Sequence, residues 1–209
     1  MTKDEIVKEI RRRTKLFGAQ FILSRKRQVE FEPGLKCSGF FTSVGDSGEP
    51  ELVVSRCYND DQFLGVLLHE YCHLTQWAEN CVAWQNDDYW SSIVDVGKWI
   101  GTNKPCTPQV KAALDATRDL EADNERRTVR LIKELGAPVD LEDYIQKANS
   151  YIHFYNTISI TNRWYDPDRV PYKTPEVTDL FRSDKIDDNF VKTPKRQLKA
   201  LLTCADTRS

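Results

Sequence analysis

Residues 63–77, Phe-Leu-Gly-Val-Leu-Leu-His-Glu-Tyr-Cys-His-Leu-Thr-Gln-Trp, constrain this chain more than any other stretch. Their apolar members fall at helical spacing and enclose a polar group, His69-Glu70-x-x-His73. Residues four apart on a helix lie on the same face, about one turn apart, so the two imidazoles project together. The flanks Phe63, Val66, Leu67 and Leu74 demand burial of this helix, while one side of it carries two histidines and a carboxylate. Only 3 histidines occur in the 209 residues, and two of them take this spacing.

Two imidazoles so placed can bind one Zn²⁺, each at about 2.0–2.1 Å. Glu70 follows the first of them, where its carboxylate reaches a metal-bound water rather than the metal and can take a proton from it. Such a site needs a third protein ligand and an open fourth position. An extended H-E-x-x-H-x-x-G-x-x-H pattern would supply a histidine at 79, but Glu79 stands there and Gln76 replaces the glycine. The remaining histidine, His153, is distant in sequence. The other solution is a carboxylate from a second helix. Residues 107–135 read as one long helix, opened by Thr107-Pro108 and closed by Gly136 and Pro138. It carries Glu121 and Glu125, four apart and on one face, and the spacing alone leaves either as the ligand.

The flanking sequence reads as α+β. Residues 3–16 form an amphipathic helix with Ile6, Val7 and Ile10 inward. Residues 19–32 are β-rich and end at Pro33-Gly34. Residues 38–58 read as a hairpin with its loop at 45–48 and its second strand at 51–56. Asn59-Asp60-Asp61 starts the histidine-bearing helix. A Trp-rich segment follows, with a helix over about 88–100, then the long helix, then a helix over 140–158. The expectation is a small sheet packed on the histidine-bearing helix, with a mostly helical C-terminal half. Residues 1–165 would make a single domain. Residues 166–209, punctuated by Pro167, Pro171, Pro175 and Pro194, would make a wrapping tail, partly mobile at its end.

With these residues in view, the chain resembles the zincin-like metallopeptidases of the gluzincin type, as found in small bacterial and phage proteins. In that family the H-E-x-x-H helix is followed by a second helix carrying E-x-x-x-D or a near relative. The resemblance covers about residues 50–135. It implies a zincin-like fold and a zinc-dependent hydrolase acting on a peptide or protein substrate. His69, His73 and Glu121 would be the metal ligands and Glu70 the general base. Glu125, in the place of the usual Asp, would orient a ligand histidine from behind. That substitution keeps open the reverse assignment, with Glu125 as ligand. Strand 51–56 would be the edge strand beside the cleft, able to pair with an extended peptide. A stabiliser of the oxyanion would stand opposite the metal, and Tyr151, His153 and Tyr155 are the candidates, although each also fits plain packing.

Composition narrows the remaining classes. The chain has 30 Lys+Arg against 32 Asp+Glu, a net charge of −2, which removes whole-molecule basicity as a reason to expect nucleic-acid binding. The first 27 residues do hold nine basic residues against three acids, a local +6, which reads first as a solvated helix face and strand rim. No apolar run reaches the length of about 18 residues that a membrane span needs. The charged N-terminus does not fit a secretory signal, so a cytoplasmic location is expected. The 6 cysteines form no C-x-x-C pair and read as free thiols, with Cys72 buried. Trp77, Trp84, Trp90 and Trp99 read as core and cleft-wall packing. The alternative to an enzyme is a metal-binding regulatory or scaffold protein on the same fold. Oligomeric state is not legible.

Overall fold

A computed structural model describes residues 1–32, 35–45, 47–85, 96–102 and 104–206. The fold is α+β. The elements are α1 (Lys3–Leu16), β1 (Gln20–Ser24), β2 (Val29–Glu32), β3 (Leu35–Cys37), β4 (Gly39–Thr42), β5 (Glu51–Ser55), α2 (Asp60–Ala78), α3 (Pro108–Leu135), α4 (Leu141–Thr161), a 3₁₀ turn (Pro171–Lys173), α5 (Pro175–Thr178) and α6 (Lys195–Leu202). Of the helix expected over 88–100, residues 96–99 are helical and the part up to 95, with Trp90, lies outside the described residues. No described helix is long and apolar enough to cross a membrane. The contacts divide the chain differently from the expected 1–165 body and 166–209 tail. One compact unit comprises Met1–Cys81 with Asn124–Leu141, and the other Val82–Asp123 with Glu142–Ser209.

The first unit holds the sheet. Helix α1 starts with a reciprocal cap: the Thr2 hydroxyl accepts from Glu5 N–H, and Thr2 N–H donates to the Glu5 carboxylate at 2.7 Å. Ile6, Ile10 and Thr14, spaced by four, are its buried stripe. Strands run in the order β1-β5-β4, with β1 parallel and β4 antiparallel to β5. Strand β5 is therefore central, and the edges are β1 and β4, which corrects the expectation that 51–56 is an edge strand. The reason lies in its sequence. Leu52-Val53-Val54 is a continuous apolar run, and all five residues of β5 are buried, as befits a strand covered on both faces.

Helix α2 packs on β4 and β5. Asn59 caps it by accepting from Gln62 N–H at 2.9 Å. At its far end Asn80 takes a left-handed φ of 47°, Asn80 N–H donates to Trp77 O at 2.9 Å, and Cys81 N–H donates to Gln76 O at 3.1 Å. That is the Schellman pattern with Asn in the usual glycine place. Helix α3 ends the same way on Gly136, with φ 53°.

In the second unit an apolar cluster includes Trp99, Leu114, Phe154, Ile158, Phe181 and Leu201. Residues beyond 165 belong to this core. They are held by a polar stripe on α4 formed by Gln146, Asn149, His153 and Asn156, which recur every three or four residues and so share a face. Gln146 donates to Phe181 O at 3.2 Å. Asn149 donates to the carbonyls of Arg182 and Lys185 at 3.1 and 3.0 Å and accepts from Asp187 N–H at 2.9 Å. Asn156 donates to Phe190 O at 2.7 Å. A segment with little regular structure cannot satisfy its own main chain, and this stripe does it instead. The tail is thus docked by specific bonds through Asp206, whose N–H donates to Trp164 O at 2.8 Å.

Asn149 is fully buried and makes three of these bonds. Asn149→Ala strands two carbonyls and one N–H, and should lower stability by about 2–4 kcal/mol, read as a lower midpoint of urea unfolding followed by tryptophan fluorescence.

Candidate metal centre

Helix α2 brings His69 and His73 together as its spacing requires, with ring centroids 4.8 Å apart and planes at 87°. Each ring has a partner on Nδ1. His69 Nδ1 lies 3.0 Å from Glu125 Oε1. A carboxylate only accepts, so Nδ1 carries a proton and Nε2 is the nitrogen left for a metal. The fully buried Asn124 donates to the His69 carbonyl at 3.3 Å and lies 3.0 Å from the same ring nitrogen. His73 Nδ1 lies 2.9 Å from Gln76 Oε1, also an acceptor, so His73 Nε2 is likewise left as the donor atom. Burial and the neighbouring His69 hold the His73 pKa down to about 3, which keeps that imidazole neutral at ordinary pH.

The third member arrives on α3. His69, His73 and Glu121 place one ligand atom each within 4.8 Å of one another, and all three are partly exposed. Three donors around a tetrahedral zinc lie about 3.3 Å apart, so His69, His73 and Glu121 would hold an ion if the three side chains drew somewhat closer. The donor chemistry fits: two imidazoles with their Nδ1 sides taken, and one carboxylate. Glu125, one turn after Glu121, sits behind His69 instead. It is buried, with 5% of its surface exposed.

Glu70 projects toward strand β4. Its carboxylate accepts a main-chain hydrogen bond from Phe41. Burial pushes its pKa up, and the nearby Glu125 adds to that, against His69 and the Phe41 bond, which lower it. Strand β4 comes this close because residue 39 is glycine. A Cβ there would stand 2.9 Å from Val66 Cγ1, 3.0 Å from Val53 O and 3.1 Å from Glu70 Cγ. The Cys37 thiol is pushed up to about 11, by burial first and by Glu70 second. Cys72 is buried off the ligand face, and its thiol is pushed up to about 12 by burial.

The three residues named as candidates on α4 separate. Tyr151 feels the Glu121 charge, and burial with that charge raises its hydroxyl well above the usual tyrosine range. Tyr155 donates to or accepts from Tyr151 at 2.8 Å and belongs to the apolar cluster of the second unit. His153 is elsewhere. Its Nδ1 lies 3.1 Å from Thr193 Oγ1 and its Nε2 3.0 Å from Asp187 Oδ2, so both ring nitrogens are engaged with the docked tail. Two residues along a helix is roughly half a turn, which puts His153 on the face opposite Tyr151.

Gln76, Asn124 and Gly39 escaped the sequence reading as parts of the site. Gln76 stood out only as the residue in place of a glycine. The usable signal was a polar side chain one turn beyond His73 on a helix that is otherwise apolar there.

Comparison of the chain with protein-family models, with curated proteins and with solved structures finds no match.

The Gln76 bond gives a test. Gln76→Leu should weaken Zn²⁺ binding about 10–100-fold in competition with a chromophoric chelator, because His73 loses the partner that orients it. Gln76→Glu keeps an acceptor and should bind zinc at least as well as the parent protein.

Proposed function

We propose that this protein is a zinc-dependent peptidase with a zincin-like fold. The observation that carries the reading is the convergence of His69, His73 and Glu121 on one point, with Glu70 on the same helix aimed at strand β4. His69, His73 and Glu121 hold the ion, and Glu125 and Gln76 orient the two imidazoles from behind. Zinc, when bound, polarises a carbonyl and makes water acidic enough to attack near neutral pH.

The remaining chemistry belongs to the chain. Glu70 takes the proton from the attacking water and returns it to the leaving amine. Strand β4 orders the substrate. In its pairing with β5, Ser55 N–H donates to Ser38 O, so Phe40 and Thr42 also face β5, while Gly39 and Phe41 turn their main-chain groups outward. An extended peptide laid along that edge runs past Glu70, which favours a peptide over a compact small molecule. The Tyr151 hydroxyl, next to Glu121 and steadied by Tyr155, is the donor available to the oxyanion.

Elemental analysis of the purified protein and cleavage of a mixed peptide library test this together. One zinc per chain and measurable cleavage are expected. Glu70→Gln should keep the zinc and lose at least about 10²–10⁴-fold in cleavage rate. Glu121→Ala should lose the zinc; zinc retained there gives the third ligand position to Glu125. Stoichiometric zinc with no cleavage of any library member would replace the enzyme reading with a metal-binding scaffold.

A further inference from the structure

The peptidase reading leaves the basic N-terminal stretch without a role, and part of that stretch meets residues from later in the chain. Strands β1 and β5 are parallel and end in register, Ser24 beside Ser55. Arg56 N–H donates to Ser24 O at 3.0 Å, and beyond that bond the two backbones continue as Arg25 and Arg56-Cys57. A cleft of about 500 Å³ opens there, and it contains none of His69, Glu70, His73 or Glu121. Its charged lining is Lys3, Arg25 and Arg56 against the single acid Asp4.

The three cations differ in their surroundings. Lys3 Nζ bonds Asp60 Oδ1 at 2.5 Å and stands 5.3 Å from the centre of the Phe63 ring. Among the described residues, the Arg25 and Arg56 side chains make no ion pair or hydrogen bond. Five other arginines are ion-paired: Arg12 and Arg13 with Glu9, Arg118 with Asp115 and Asp119, Arg127 with Glu79, Arg182 with Asp184. The lining carries three cations against one carboxylate, and an anion offsets that excess of positive charge. Guanidinium favours phosphate because its planar fork gives paired N–H donors to two oxygens. The rest of the wall is apolar, formed by Val7, Leu23 and Phe63. The volume is several times that of one phosphate, so an anion alone leaves most of the cleft unused.

We propose that this cleft binds a small organic phosphate. Arg25 and Arg56 hold the phosphate, with Lys3 beside them, and the organic part lies on Val7, Leu23 and Phe63. The proposal goes beyond the peptidase reading and does not depend on it.

Cys57 lines the same cleft and is exposed, so it serves as the reporter. The full chain is alkylated with iodoacetamide and modification of Cys57 is followed by mass spectrometry, with phenyl phosphate, inorganic phosphate or chloride at matched ionic strength. Phenyl phosphate should slow the reaction about tenfold at ten times its dissociation constant, since only the free protein reacts. Inorganic phosphate should need a higher concentration. The protection, taken as the ratio of rates with and without ligand, should vanish in Arg25→Ala/Arg56→Ala and survive in His69→Ala. Equal rates with and without phenyl phosphate would overturn the proposal, as would protection that chloride reproduces or that the double variant retains. Equal potency of inorganic phosphate would overturn the organic part of it.

Discussion

A buried helix with polar side chains must find each of them a partner, and the first unit is arranged around that constraint. Helix α2 has Leu64, Leu67, Leu68 and Leu74 fully buried, yet it also carries His69, Glu70, His73 and Gln76. An unpartnered polar group at such a position costs on the order of 1–3 kcal/mol. The partners come from three directions. Helix α3 supplies Glu125 and Asn124 to His69, strand β4 supplies the Phe41 main chain to Glu70, and α2 itself supplies Gln76 to His73. The bonds to His69 and His73 also set which imidazole nitrogen is left for a metal. Satisfaction of the core and preparation of a donor set are one arrangement here.

The second unit meets the same constraint with the roles reversed. There the main chain of Phe181, Arg182, Lys185, Asp187 and Phe190 bonds to side-chain amides on α4. Amides suit this task because each offers both donor and acceptor without a net charge. Asn149 uses both ends, donating to two carbonyls and accepting from one N–H. His153 joins the same stripe between Thr193 and Asp187, flanked by Phe181 and Phe190 at ring-centroid distances of 5.5 and 4.7 Å.

Much of this is legible in the sequence. Several helix boundaries follow from local chemistry: Asn59, Pro108 and Gly136 each mark an end that lies within a residue or two of where the structure has it. The same holds for the convergence of His69 and His73, since helical spacing alone requires it. Residues whose role is set across the fold were not legible. Gly39 matters because α2 passes behind it, and nothing in Ser38-Gly39-Phe40 says so. Strand β5 was assigned to an edge although its unbroken apolar run fits a covered centre, and pairing with β1 supplies the second neighbour. The tail looked loose because proline spacing reports what a segment cannot form, and the amides that hold it lie some 35 residues away on α4.

The interleaving of the two units has a consequence for how the chain is made. The first unit takes residues 1–81 and 124–141, and the second takes 82–123 and 142 onward, so neither is a contiguous stretch. A ribosome releases the sheet and α2 first, but the segment with Asn124 and Glu125 emerges only after about forty residues of the other unit. Until then His69 lacks the two side chains that orient it, while His73 already has Gln76 on its own helix. Metal capture by the nascent chain would therefore have to wait for α3. For the same reason no single cut yields either unit intact, so the protein cannot be shortened or transplanted in the modular way that contiguous domains allow.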